Sequence, residues 1–149
     1  MDRTAVDISD ALAFAALKHR GQTDKQGAPY VYHVIAVAER VRPMGAVHEI
    51  TALLHDVLED TDTPREEIVR RFGETVASAV EALTKRPGED YFAEYLPRVL
   101  ENPVAVAVKI ADLTDNLEKS ATLPTVADRE KYASKYRRAL DIIATHVKR

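Results

Sequence analysis

The chain has 149 residues and a mass of 16.6 kDa, which is enough for one domain with a single buried core. Apolar residues make up 46% of the chain and charged residues 30%, a balance that is typical of globular proteins and excludes disordered and collagen-like classes. The 21 basic and 24 acidic residues give a net charge of −3, so the overall charge does not favour nucleic acid or an anionic membrane as a partner.

The absence of cysteine excludes disulfides, thiolate nucleophiles and iron–sulfur ligation. Any metal must therefore be bound by histidine, aspartate, glutamate or water, which are ligands of hard and borderline divalent ions. The chain begins without the long apolar run of a signal peptide, and no segment approaches the roughly 20 apolar residues that span a bilayer. We therefore expect a cytosolic protein without a membrane partner, which acts alone or as a small homo-oligomer.

The spacing of apolar residues predicts an all-α chain in which glycines and prolines separate the helices. A loop is expected over 21–29. Thr63 is expected to cap the helix that follows it, and Gly73 lies just past the last turn of that helix. Helices are predicted over 6–18, 32–41, 46–58, 64–72, 74–83, 91–100, 104–119 and 127–148.

Two details qualify this helical prediction. Pro97 should kink or split the helix over 91–100. The runs over 31–37 and 104–110 are rich in β-branched residues and are compatible with strands, but neither has a hairpin partner, which favours helices. The predicted fold is a compact bundle of about seven to eight helices that forms a single domain over residues 1–149.

Polar residues interrupt the apolar helix over 46–58. The side chains of His55, Asp56, Glu59 and Asp60 directly follow two leucines. Burial of such groups without partners costs several kcal/mol each. On a continuous helix the spacings of three and four residues put the three carboxylates on nearly one face, where they repel one another unless a cation lies among them.

Two further helices carry similar interruptions. Asp112 lies within an apolar run, with Asn116 one turn later on the same face and Lys109 three residues earlier. His33 opens the apolar helix over 32–41. Each feature alone has an ordinary structural explanation, such as a helix cap or a buried polar link. Together, the two histidines and two aspartates form a nitrogen and oxygen ligand set that suits Mn²⁺, Fe²⁺ or Zn²⁺.

Three motifs, GxPYxxH over 27–33, LLHDxxEDT over 53–61 and VKxADxxxNL over 108–117, resemble those of the HD-domain metal-dependent phosphohydrolases. The resemblance is strongest to the hydrolase domain of the RelA/SpoT family and to the small alarmone hydrolases, and it runs from about residue 11 to 123. It implies a divalent metal, commonly Mn²⁺, and removal of the 3′-pyrophosphate from guanosine tetra- or pentaphosphate. The metal ligands that it implies are His33, His55, Asp56 and Asp112.

The same resemblance implies roles for other polar residues. Glu59 and Asp60 match the acids that orient or activate the attacking water, and Asn116 matches an asparagine that contacts the nucleotide. Apart from the resemblance, the negative charge of a phosphorylated substrate requires cations. Lys18, Arg20, Lys25 and Lys109 are the candidates near the motifs, and we expect Lys25 and Lys109 to bind phosphate. Because the loop over 21–29 carries a lysine but no planar arginine to stack on a purine, we expect weak discrimination between guanine and adenine.

Other functions stay open on the sequence alone. One is an HD hydrolase that acts on a different phosphorylated nucleotide, as a 5′-nucleotidase or a phosphodiesterase. Another is a regulatory module that binds a nucleotide without turnover, although such a module has no need of the acid pair Glu59 and Asp60. A purely structural helical dimerisation domain would leave the buried acids unexplained.

Overall fold

The computed structural model describes residues 3–148, and its regular elements are helices. Within those residues no strand is formed, and the single β-type contact is an isolated bridge between Thr23 and Pro29. The all-α prediction is confirmed, and the segments over 31–37 and 104–110 are helical. The α-helices are α1 (Thr4–Lys18), α2 (Val31–Val41), α3 (Ala46–Leu54), α4 (Val57–Asp60), α5 (Arg65–Phe72), α6 (Glu74–Ala82), α7 (Leu96–Val99), α8 (Pro103–Ser120) and α9 (Val126–Val147).

Helix α3 lies at the centre of the apolar core. Every residue from Ile50 to Leu54 is buried, because α1, α2, α6 and α8 all pack around this helix. A second, smaller apolar cluster joins α8 to α9 through Leu113, Ala139 and Ile143. Helix α8 therefore contributes to both clusters, which fixes its position relative to α3 and α9. None of the helices within residues 3–148 is long and apolar enough to cross a membrane.

The predicted helix over 46–58 is interrupted at its polar end. Helix α3 ends at Leu54, and a turn at His55 and Asp56 precedes the short α4. In a continuous helix the carbonyl of Ala52 would accept the N–H of Asp56. Here it lies 2.6 Å from the ring Nδ1 of His55 and 3.4 Å from the backbone nitrogen of the same residue. The prediction of one continuous helix over 46–58 was therefore wrong, although after the break the N–H of Asp60 donates to the carbonyl of Asp56 at 2.9 Å, as in a helical turn.

The N-terminal cap of α5 differs from the one predicted from the sequence. The helix begins at Arg65, after Pro64 in an extended conformation. The hydroxyl of Thr63 is hydrogen-bonded to that of Thr61 at 2.7 Å, so it does not cap the helix and that prediction was wrong. The end of the helix is as expected, since Gly73 has a φ of +94°, a value that favours glycine.

The segment predicted as one helix over 91–100 has two parts. A π-helical segment, Tyr91–Tyr95, is capped by the carboxylate of Asp90, which accepts the N–H groups of Phe92 and Ala93. Helix α7 follows from Leu96, with Pro97 in its first turn. The expected split at the proline is therefore present. A further 3₁₀ turn, Arg42–Met44, connects α2 to α3.

Arg98 anchors the loop between α6 and the π-helical segment. Its guanidinium donates hydrogen bonds to the carboxylate of Glu89 at 2.8 and 3.0 Å and to the carbonyl of Thr84 at 2.8 Å. The loop that it holds includes Lys85, whose backbone N–H donates to the carboxylate of Glu59 at 2.7 Å. Arg98 therefore fixes the backbone that positions one of the predicted catalytic acids.

We expect Arg98→Met to lower the free energy of unfolding by about 2 kcal/mol, because the carbonyl of Thr84 and the carboxylate of Glu89 lose the guanidinium that donates to both. Arg98→Lys should restore only part of this loss, since an ammonium cannot reproduce the planar fork of the guanidinium. Urea unfolding followed by circular dichroism measures both values. The matched control is Arg70→Met, whose side chain is 70% exposed and 3.7 Å from Glu67. Equal unfolding midpoints for the Arg98 and Arg70 methionine variants would contradict the expectation.

Candidate active site

Two histidines and an aspartate meet where α2 begins, α3 ends and α8 passes between them. The Nε2 of His33 lies 2.8 Å from Oδ1 of Asp112, and the Nε2 of His55 lies 3.5 Å from the same oxygen. One side-chain nitrogen or oxygen of each residue lies within 4.8 Å of those of the other two, and all three side chains are buried. The fold therefore brings together three of the four predicted ligands in a set that suits a borderline divalent ion.

The hydrogen bonding of His55 leaves one ring nitrogen directed into this cluster. The carbonyl of Ala52 can only accept a hydrogen bond, so Nδ1 of His55 carries a proton, and Nε2 is the nitrogen that has a lone pair when the ring is neutral. This Nε2 is buried, and among residues 3–148 it makes no hydrogen bond of acceptable geometry. A buried nitrogen of this kind, held by a hydrogen bond at the opposite ring position, has the orientation of a metal-binding histidine.

Asp56, the fourth predicted ligand, lies beside His55. Its Oδ2 is 3.0 Å from Nε2 of His55 and accepts a short hydrogen bond from the hydroxyl of Tyr30. Burial opposes ionisation of this carboxyl, but the neighbouring His55 and His33 outweigh it and lower the pKa of Asp56 to about 2. Tyr30 belongs to the GxPYxxH motif, and its contact gives a physical reason for a tyrosine at that position.

Asp112 is held by donors on its own helix. The Nζ of Lys109 is 3.1 Å from its Oδ2, and the side-chain amide of Asn116 donates to its Oδ1 at 3.2 Å. Burial would raise the pKa of Asp112, but Lys109 and the two histidines hold it well below its usual value. Lys109 is only 8% exposed, so its ammonium faces the carboxylate rather than the solvent.

Asp115 is a site residue missing from the set found by sequence reasoning. Its Oδ2 is 2.7 Å from Nδ1 of His33, and both side chains are buried. A carboxylate at Nδ1 orients the imidazole so that its Nε2 faces Asp112, as in metal sites where a second carboxylate orients a histidine ligand. Lys119 and Arg40 lie 3.3 and 3.8 Å from Asp115. The sequence signal that could have identified Asp115 is its spacing of three residues from Asp112, which puts both side chains on one face of α8.

The two predicted catalytic acids lie at the end of α4 and differ in their surroundings. Glu59 accepts the backbone N–H of Lys85 at 2.7 Å. No backbone N–H within the described part of the chain donates to the carboxylate of Asp60, and burial together with the negative charges of Asp56 and Glu59 raises its pKa to about 6. The three acids share one turn after the break, since the N–H of Asp60 donates to the carbonyl of Asp56 at 2.9 Å.

A cavity of about 220 Å³ adjoins the cluster between the loop over 21–29, α8 and α9. Of the predicted substrate residues, Lys25 and Asn116 line this cavity, whereas Lys109 lies against Asp112. Asn116 also donates to Asp112, so this side chain links the wall of the cavity to the cluster. The other polar and aromatic side chains of its wall include Thr23, Gln26, Tyr30, Lys119 and Tyr136.

The sequence around this cluster matches a known family. The family model described as an HD domain matches residues 11–145. The chain belongs to the HD domain family. The resemblance that the three motifs predict is confirmed by this match, and the HD dipeptide is His55 and Asp56.

Several relatives of this HD domain are named guanosine-3′,5′-bis(diphosphate) 3′-pyrophosphohydrolase. The one from Aquifex aeolicus (strain VF5) is 43% identical over 123 residues, which cover 76% of this chain but only 18% of the Aquifex protein. The Danio rerio protein of that name, MESH1, is 39% identical over 126 residues, covering 76% of this chain and 68% of MESH1. A solved structure described as a metazoan ortholog of SpoT that hydrolyzes ppGpp has a TM-score of 0.78 and 30% identity, and the match covers 92% of this chain and 85% of that one.

We expect Asp115→Asn to weaken the binding of Mn²⁺ by about 10- to 100-fold, the usual effect of removing a carboxylate that orients a histidine ligand. Isothermal titration calorimetry on protein stripped with a chelator measures the affinity. The control is Glu118→Gln on the same helix, because Glu118 pairs with Arg40 while its side chain is 64% exposed. An affinity of Asp115→Asn equal to that of Glu118→Gln would show that His33 needs no orienting carboxylate.

Proposed function

We propose that this HD domain is a metal-dependent hydrolase that removes the 3′-pyrophosphate from guanosine 3′,5′-bis(diphosphate) or a closely related nucleotide. The observation that carries the proposal is the buried cluster of His33, His55 and Asp112 beside a polar cavity. The names of the relatives supply the reaction and the substrate class. Two relatives that this chain spans by more than two thirds, the Danio rerio and Homo sapiens MESH1 proteins, carry the same name.

The residues that would hold a divalent ion are His33, His55, Asp56 and Asp112. Their fit rests on the buried Nε2 of His55, which lacks a hydrogen bond among residues 3–148, and on the two carboxylates of Asp56 and Asp112, held as anions beside it. Mn²⁺ is our choice among the ions that such a nitrogen and oxygen set accepts. When bound, a divalent ion supplies Lewis acidity and lowers the pKa of water toward neutrality.

The acids at the end of α4, Glu59 and Asp60, would accept and transfer the proton of the attacking water. In the proposed step a water oxygen forms a bond to the phosphorus attached to the 3′ oxygen, and the bond from that phosphorus to the 3′ oxygen breaks. Glu59 or Asp60 takes a proton from the water and passes it to the departing 3′ oxygen. The products are pyrophosphate and guanosine 5′-diphosphate with a free 3′-hydroxyl, so atoms and charges balance.

The cavity would hold the nucleoside and its phosphates. Lys25 and Asn116 line it, and we propose that both contact the substrate. Lys109 acts on the reaction through Asp112, whose charge it neutralises at 3.1 Å. A cytosolic location, a monomeric or small homo-oligomeric state and the lack of a nucleic-acid partner remain predictions from the sequence.

The direct test is incubation of the Mn²⁺-loaded protein with a panel of phosphorylated nucleotides, with the products identified by mass. Release of pyrophosphate from guanosine 3′,5′-bis(diphosphate) supports the proposal. Release of orthophosphate from a 5′-nucleotide, or opening of a phosphodiester, would replace it with one of the other hydrolase activities. Tight binding of a nucleotide without any product would indicate a regulatory module.

We expect Glu59→Gln to retain the metal and the fold but to lower kcat by about 100-fold or more, the scale of losing a general base. The amide keeps an oxygen that can accept the N–H of Lys85, so the loop should stay in place. Elemental analysis should find about one divalent ion per chain in wild type and in Glu59→Gln, and none in His55→Ala. Loss of the ion from Glu59→Gln would make Glu59 a ligand instead. The control for charge is Glu66→Gln, on the exposed surface of α5.

A second expectation concerns the base of the nucleotide. Lys25 contributes a point charge and no planar group, so its loop should attract phosphate without selecting a purine. We expect kcat/KM values for the guanosine and adenosine 3′,5′-bis(diphosphates) to lie within about 100-fold of each other, equivalent to about 2.7 kcal/mol. A larger preference for guanosine would show that another part of the cavity distinguishes the bases.

A further inference from the structure

His19 is a buried histidine that none of the three motifs contains. It follows the last residue of α1 and is 2% exposed. Its Nδ1 lies 2.8 Å from Oε1 of Gln22, whereas its Nε2 is buried and makes no hydrogen bond among residues 3–148. A buried polar atom without a partner destabilises the folded state. Stability alone therefore does not explain a histidine at this position.

The side-chain amide of Gln22 connects His19 to one of the two predicted catalytic acids. Its Nε2 donates a hydrogen bond to the backbone carbonyl of Asp60 at 3.0 Å. Because that carbonyl can only accept, the amide nitrogen of Gln22 faces Asp60 and the amide oxygen faces His19. The amide oxygen also only accepts, so Nδ1 of His19 carries the proton of the second hydrogen bond. Two hydrogen bonds thus connect His19 to Asp60 through Gln22.

The carbonyl of Asp60 needs a donor from outside its own helix. Helix α4 has four residues and ends at Asp60, after which Thr61 is extended with a φ of −136°. In a longer helix the N–H four residues later would donate to this carbonyl, but that residue is Pro64, which has no N–H. Among residues 3–148 the amide of Gln22 is the only hydrogen-bond donor to it. Gln22 therefore fixes the last carbonyl of α4.

Gln22 is itself held by its backbone as well as by its side chain. Its N–H donates to the carbonyl of His19 at 3.0 Å, and its carbonyl accepts the N–H of Tyr30 at 2.9 Å. The ring centroids of His19 and Tyr30 lie 5.1 Å apart. Because the backbone and the amide oxygen are already fixed, Gln22 loses little conformational entropy when its amide nitrogen holds Asp60. Preorganised support of this kind keeps a catalytic group close to its productive position.

We propose that His19 and Gln22 are positioning residues that hold Asp60 in place for the hydrolysis. Glu59 has its own support in the backbone N–H of Lys85, and the pair of His19 and Gln22 supplies the equivalent support to Asp60. Gln22 acts through the backbone of Asp60, and His19 acts through the orientation of the amide of Gln22. The inference rests on the proposed function, because it assigns two residues outside the motifs to the same reaction.

A double-mutant cycle tests whether Gln22 acts through Asp60. Gln22→Met keeps the length of the side chain but removes both of its hydrogen bonds. We expect it to lower kcat by about 10- to 100-fold with KM within about 3-fold of wild type, because Asp60 loses its alignment while the residues that line the cavity are unchanged. In the Asp60→Asn background the same substitution should have no further effect on kcat. An equal loss in both backgrounds, or a wild-type kcat in Gln22→Met, would overturn the inference.

Variants of His19 separate positioning from stability. His19→Leu removes the donor to Gln22 and also the unpaired Nε2, so we expect kcat to fall by about 10-fold without a fall in the unfolding midpoint. His19→Asn can place an amide N–H close to the position of Nδ1 and should restore kcat toward wild type. The matched control is His48→Leu, at a half-buried histidine near the start of α3, which should keep the wild-type kcat. If kcat falls only in variants whose unfolding midpoint also falls, His19 is merely structural and the inference is overturned.

Hydrogen exchange distinguishes a failure of this inference from a failure of the proposed function. Amide exchange over residues 57–62, measured by mass spectrometry, should be about 10-fold faster in Gln22→Met than in wild type, the scale of one lost hydrogen bond. The comparison variant is Gln26→Met, because the amide of this second glutamine of the loop donates to the carbonyl of Lys119 at 3.0 Å. It should exchange like wild type over residues 57–62.

The combined outcomes separate the two claims. If Gln22→Met exchanges faster but wild type hydrolyses no nucleotide, the proposed function fails, while the holding of Asp60 by Gln22 is supported. Equal exchange in wild type and Gln22→Met overturns the inference whatever the hydrolysis assay gives.

Discussion

The buried negative charge of Asp112 is the constraint on which the site and the surrounding helices depend. A carboxylate in a protein interior is costly unless charged or hydrogen-bonding partners surround it. Here Lys109 and Asn116 come from its own helix, His33 comes from α2, and His55 comes from the turn after α3. The contacts that stabilise this buried charge therefore also determine how α2 and α3 dock on α8. They direct the Nε2 atoms of His33 and His55 toward Oδ1 of Asp112.

The distribution of charge around this carboxylate has an inner and an outer part. In the inner part each acid has a compensating partner within the chain, as Asp115 has in Lys119. In the outer part Asp60 has a raised pKa, and the ammonium groups of Lys25 and Lys135 lie over aromatic rings. The inner groups are thus paired within the chain, whereas the outer groups are those that a ligand could still pair. This separation of structural from reactive charge is common at active sites.

The periodicity of apolar residues was sufficient to predict the all-α fold and most helix ends, because each helix has one face in a shared core. The motifs placed the histidines and Asp112 in one site for the same reason, since they interrupt faces that must be buried. Periodicity could not predict the break after Leu54, which arises from a side-chain hydrogen bond of His55 to the carbonyl of Ala52. The partner of Asp115 lies 82 residues away, a contact that no local pattern contains.

The long separation between the clustered residues also affects how the protein folds. His33 and Asp112 are 79 residues apart, so their cluster exists only after α2 has docked on α8. Closing so long a loop costs conformational entropy, and the unfolded chain cannot offer the same arrangement to an ion. An ion bound by the cluster would therefore stabilise the tertiary structure. At a free ion concentration 100 times the dissociation constant, it would add about 2.7 kcal/mol to the free energy of unfolding. The supply of metal in the cell would then influence how long the folded protein persists, as well as whether it can react.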